Sequence, residues 1–114
     1  MSATVYKICP EPLWRAAVAA GVFDGAPVDV ADGFIHFSTI AQVVETARRH
    51  FPGQDDLVLV AVDAAKLGAA LRFEPSRGGD LFPHLYGPLP LDAVRWTKAL
   101  PLGPTGHAFP EMES

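Results

Sequence analysis

Several familiar signatures are missing from this chain. A single cysteine, Cys9, has no partner for an internal disulfide and no second thiolate for a cysteine-built zinc site. A reducing, cytoplasmic setting is therefore expected. No run of Lys and Arg occurs, and 9 basic residues stand against 13 acidic ones for a formal net charge of −4. That balance argues against an extended nucleic-acid surface, though not against a local pocket for one phosphate. No apolar stretch approaches the roughly 20 residues of a bilayer span, and Met1-Ser2-Ala3-Thr4 begins no basic-then-apolar leader. Neither a membrane association nor a signal peptide is expected. There is no Gly-x-Gly-x-x-Gly fingerprint, and the Gly-rich loop Ser76-Arg77-Gly78-Gly79-Asp80 lacks the Lys and Ser or Thr of a Walker loop. A Gly-x-Ser-x-Gly elbow is absent too, so Ser38 has no hydrolase setting.

What is present is an ordinary globular composition, 49% apolar over 114 residues, which suits one domain with a single core. Eleven prolines and ten glycines imply short elements joined by stiff turns. The most informative stretch is Asp32-Gly33-Phe34-Ile35-His36-Phe37-Ser38-Thr39-Ile40-Ala41-Gln42. Asp32-Gly33 is a turn signal, Phe34 to Phe37 are strand formers, and Thr39 with Gln42 has capping-box spacing. His36 thus stands near the end of a strand that feeds a helix. Such strand ends line ligand crevices in many mixed folds.

Around it, Thr4 to Cys9 alternates and predicts a first strand, with Lys7 outward. Leu13, Trp14, Ala17, Val18 and Ala20 predict a helix over Glu11 to Ala20, closed by Gly21. Val22 to Ala31 reads as irregular, interrupted by Pro27. Ile40, Val43, Val44, Ala47 and Phe51 form one apolar helical stripe. Leu57 to Val62 is a continuous apolar run, the pattern of a central strand covered on both faces. Leu71 to Glu74, a His/Tyr-bearing segment Pro83 to Pro88, and Val94 to Leu100 complete the strands. The expected fold is α+β, a single domain over residues 4–100 with split mixed or antiparallel sheets and two main helices. Residues 101–114 read as a loosely held tail.

The side chains with chemical potential are His36, Ser38, Thr39, Arg72, Glu74, Arg77, His84 and Tyr86. Each also has a plainer use. Ser38 and Thr39 suit a helix cap, and His36 suits a buried, backbone-satisfied imidazole. Tyr86 suits a core aromatic with its hydroxyl at the rim, and Glu74, Arg72 and Arg77 suit solvated surface. A two-His, one-carboxylate metal set from His36, His84 and Glu74 is one functional alternative, although no metal-binding spacing supports it.

Tyr6-Lys7-Ile8, the Trp14 helix, the Asp29 to Ser38 stretch with Asp32-Gly33-Phe34-Ile35-His36-Phe37-Ser38, Gln42, Thr46-Ala47, Phe51 and Phe82-Pro83-His84-Leu85-Tyr86-Gly87 closely resemble the bacterial domain of unknown function 952 family. The resemblance runs from about Thr4 to Leu100. It implies an ADP-ribosyltransferase-like fold, a split α+β domain that clasps NAD between two small sheets. It further implies His36 and His84 in the cleft, with His36 on the ribose of NAD and Ser38 and Thr39 beside it. Tyr86 would stack on nicotinamide, Glu74 would orient the nucleophile, and Arg72 or Arg77 would neutralise the pyrophosphate. Glu74 precedes Tyr86, out of the usual order for that superfamily. Two functions follow from the resemblance, an NAD-using enzyme with no metal and a non-catalytic module for a nucleotide or phosphometabolite. The residues alone leave a third, a metal-dependent enzyme on His36, His84 and Glu74.

Overall fold

The computed structural model describes residues 3–112. Strand β1 (Thr4–Pro10) leads into helix α1 (Glu11–Ala20), whose Pro12 lies in the first turn and whose Gly21 cap is left-handed. The short strand β2 (Val22–Phe23) follows, then α2 (Pro27–Asp32), β3 (Ile35–His36) and α3 (Val43–His50). Strand β4 (Leu57–Asp63), a 3-10 segment (Ala64–Ala70), β5 (Leu71–Pro75) and β6 (Leu81–Leu85) come next. Strands β7 (Leu89–Pro90), β8 (Val94–Leu100), β9 (Leu102–Gly103) and β10 (Gly106–His107) complete the chain. The domain is α+β, and every strand pairing among the described residues is antiparallel.

Two three-stranded sheets organise it. The core sheet has the order β1-β4-β8, with β4 in the centre as its apolar run requires. The pleat divides that strand between two apolar clusters. Val58, Val60 and Val62 face Trp14 of α1, Phe23 and Leu89. Leu57, Leu59 and Ala61 face Val43 and Ala47 of α3. The second sheet has the order β3-β6-β5. Ile35, Leu85 and Leu71 turn one of its faces into the first cluster. A bridge between Tyr6 and Ser38, two N–H···O bonds of 2.8 Å, ties the sheets together just beyond His36. The two sheets therefore meet at the stretch that carries the histidine.

Several expectations need correction. Lys7 does not point to solvent. Both faces of β1 are covered, so its alternation has no wet side, and Lys7 is buried on a counterion. The region around Pro27 is a helical turn, because that proline occupies the start of α2 where an N–H is not needed. In α3, Val44 is exposed while Thr46 turns inward, so the apolar stripe is narrower than the periodicity indicates. Only half of the capping box forms: Gln42 Oε1 accepts from the Thr39 N–H at 3.0 Å. The segment after Leu100 forms the β9–β10 hairpin, and Phe109 and Met112 pack on the second cluster. Among the described residues, no helix is long and apolar enough to cross a membrane.

Candidate functional site

His36 of β3 and His84 of β6 are directly opposed in the antiparallel register. Opposed residues share a face, so register alone brings the two imidazoles together. Their ring centroids lie 5.7 Å apart, edge to face. Arg72 opposes His84 from β5, and Glu74 lies two residues further along the same face. Phe34 fills the middle. Its ring stacks on His84 at 4.1 Å and meets His36 at 4.5 Å and Tyr86 at 5.3 Å.

Each imidazole is held through Nδ1 by a carboxylate. His36 Nδ1 lies 2.6 Å from Asp29 Oδ1, and His84 Nδ1 lies 2.8 Å from Glu74 Oε1. Asp29 is the hub of the first arrangement. Its carboxylate also accepts from Lys7 Nζ at 3.0 and 2.9 Å, from the Ala26 N–H at 2.7 Å and from the His36 N–H at 3.1 Å. Burial pushes the Asp29 carboxyl up. The His36 bond, the Lys7 ammonium and the Ala26 N–H outweigh it and hold the group down at about 2. Burial also pushes Lys7 below its ordinary value, with Asp29 opposing that shift. Two glycines make the hub possible. Gly33 ends α2 in the left-handed conformation, so the chain doubles back on Asp29. Gly25 leaves no room for a side chain, since a Cβ there would meet Asp29 Cβ at 2.9 Å.

In the second arrangement, Glu74 Oε1 accepts from Tyr86 Oη at 2.7 Å as well as facing His84. Those two bonds lower the Glu74 carboxyl, and the same tyrosine contact raises the Tyr86 phenol above its ordinary value. The Arg72 guanidinium stands 5.0 Å from the centre of the Tyr86 ring.

A cavity of about 460 Å³ opens at the fork between the two sheets, within the range of small-molecule sites. His36, His84, Ser38, Lys7, Asp32 and Thr46 supply its polar walls, and Phe37, Phe51 and Phe82 part of its apolar lining. Asp32 Oδ2 reaches His36 Nε2 at 3.0 Å. A smaller cavity of about 380 Å³ lies elsewhere, beside Trp14, Asp55 and Lys98.

Of the residues expected from sequence, His36, His84 and Ser38 thus share one cavity. Thr39 stands behind it at the entry to α3, while Glu74, Tyr86 and Arg72 lie on the same sheet face outside its walls. The Arg77 side chain falls outside what the structure describes. The set His36, His84 and Glu74 does not converge on a common point, since each imidazole turns Nδ1 to a different carboxylate. Among the described residues, no three His, Cys, Asp or Glu side chains are grouped to hold a metal ion. Lys7, Asp29, Asp32 and Phe34 stand in the segments that carry the resemblance, but the sequence assigns them no role in the site. A usable signal exists: two carboxylates three residues apart, Asp29 and Asp32, stand only a few residues before His36.

Fold and site together define a small α+β domain with a histidine-lined cleft between two antiparallel sheets. The family described as protein of unknown function (DUF952) matches residues 8–97, and the chain belongs to that family. The crystal structure of protein CC0527 from Caulobacter crescentus, a structural genomics target, is 49% identical. The match covers 91% of each chain with a TM-score of 0.87. The solution structure of CC0527 is 49% identical over 91% of this chain and 90% of that one, with a TM-score of 0.82. None of the curated proteins compared matches the chain.

Proposed function

We propose that the cavity at the fork of the sheets is a nucleotide site of the kind that takes NAD. We further propose that the protein is an ADP-ribosyltransferase-like enzyme. The observation that carries this reading is the pair His36 and His84, opposed in register and converging on one cavity that also holds Ser38. The resemblance of these segments to an NAD-clasping split fold supplies the ligand class.

The chemistry is coherent with the walls. Breaking the nicotinamide–ribose bond sends the bonding electrons to the nicotinamide nitrogen and leaves positive charge on the ribose. An acceptor's oxygen or nitrogen then bonds to that carbon and loses its proton. Held hydroxyls and a nearby carboxylate lower the barrier by orientation and charge stabilisation. His36 and Ser38 would orient the ribose. The carboxylate on the wall is Asp32, whereas Glu74 is engaged with His84 and Tyr86. Phe51, partly exposed on the wall, offers ring surface for a base, with Phe37 and Phe82 buried behind the lining.

That engagement of Glu74 favours a second reading, a module that binds the nucleotide without turning it over. Calorimetric titration with NAD tests the site. Wild type should release heat, and His36→Ala and His84→Ala should each bind about tenfold more weakly, the worth of one hydrogen bond near 1.4 kcal/mol. No heat from wild type, or equal affinity in all three proteins, contradicts it. Free nicotinamide appearing on long incubation separates the enzyme from the module.

A further inference from the structure

Among the described residues, Lys7 and Asp29 are the fully buried lysine–carboxylate pair, and the site so far gives them no task. Burying two charges is costly, and a pair kept only for packing is replaceable by apolar residues. The geometry here does more than neutralise. Asp29 Oδ1 grips His36 twice, at its backbone N–H and at ring Nδ1, while Oδ2 is fixed by Lys7 and the Ala26 N–H. With both attachments made, the ring turns Nε2 outward to the cavity wall, where Asp32 Oδ2 meets it at 3.0 Å.

We infer that Lys7 and Asp29 are positioning residues of this site. Lys7 keeps Asp29 ionised and in place. Asp29, closer at 2.6 Å than Asp32 at 3.0 Å and buried where Asp32 is half-exposed, in turn locks His36 in the tautomer protonated at Nδ1. Nε2 then meets the Asp32 carboxylate with its lone pair alone and is the atom a ligand would reach by displacing Asp32. The inference deepens the reading of the cavity as a ligand site. Its test uses the free protein, so its failure and the failure of NAD binding are separate results.

The experiment is long-range proton–nitrogen NMR of the imidazoles, at a pH high enough for His36 to be neutral. Wild type should carry the His36 proton on Nδ1. In Asp29→Asn the carbonyl oxygen stays with Lys7 and Ala26, and the new NH2 group turns to Nδ1 at the loss of the bond from the His36 backbone N–H. The proton should then move to Nε2, as an Asp-to-Asn change does beside a protease histidine. In Asp32→Asn, at a half-exposed position, the proton should stay on Nδ1. His84, held by Glu74, should keep its tautomer in both variants. If Asp29→Asn does not fold, the double variant Lys7→Met/Asp29→Asn removes the charge with its partner and should show the same switch. A neutral wild-type His36 protonated at Nε2 overturns the inference. So does an Nδ1 proton that persists in the folded Asp29 variant.

Discussion

The two carboxylate–imidazole pairs use the same bond in opposite burial. Asp29 is 1% exposed and its partner His36 33%, whereas Glu74 is 32% exposed and its partner His84 7%. In the first pair a buried anion steadies a ring that reaches the cavity. In the second, a surface anion steadies a largely buried ring that still forms part of the cavity wall. The difference teaches which member of each pair is structural. Asp29 is anchored to three elements, β1, α2 and β3, so its loss reaches the fold. Glu74 is anchored to side chains at a sheet edge, where water can replace most of what it supplies.

The comparison can be broken in several ways. Asp29→Ala should have the largest effect, about 3–5 kcal/mol of unfolding free energy, because it leaves the Lys7 ammonium buried without a partner. Denaturant titration measures it. Phe34→Ala should follow at about 2 kcal/mol, since that half-buried ring stacks on His84 and meets His36 and Tyr86. The same variant should loosen both imidazoles, read as faster exchange of their ring protons.

Acid stability sharpens the contrast. The Asp29 carboxyl sits at about 2 in the folded protein against an ordinary 3.8. A lowered carboxyl contributes stability that is fully present above the ordinary value and is lost as pH falls through the folded one. Melting temperature should therefore drop between about pH 4 and pH 2 in wild type, and this limb should flatten in Asp29→Asn. Glu74→Gln should change stability little, because water replaces what an exposed carboxylate supplies. It should bring the Tyr86 phenol back toward its ordinary 10.0, seen in the phenolate absorbance, since the Glu74 contact is the main cause of its upward shift. Smallest of all, Glu45→Gln should leave stability nearly unchanged, because its ion pairs with Arg48 and Arg49 are at the surface.

The contrast also marks where the sequence was legible. The α1 helix was readable to the residue from its periodicity, Pro12 and Gly21, and β4 from its unbroken apolar run. Both are local signals. His36 and His84 were readable as strand-borne candidates, but their facing one another depends on strand register, which no single segment encodes. Lys7 was misread because the rule that charge points outward assumes a wet face. Its counterion, Asp29, is 22 residues away. Asp29 itself lies in a stretch that reads as irregular, because Pro27 signals an interruption as readily as the start of α2. Local patterning carries elements well. Pairs of charges joined across a turn and a sheet leave no period to find.

The most direct test of the account is side-chain NMR of the histidines during titration with NAD. The imidazole signals of His36 and His84 should move together and saturate together, while those of Trp14 and Lys98 beside the smaller cavity stay fixed. Movement confined to Trp14 and Lys98, or no movement of either imidazole, would contradict it.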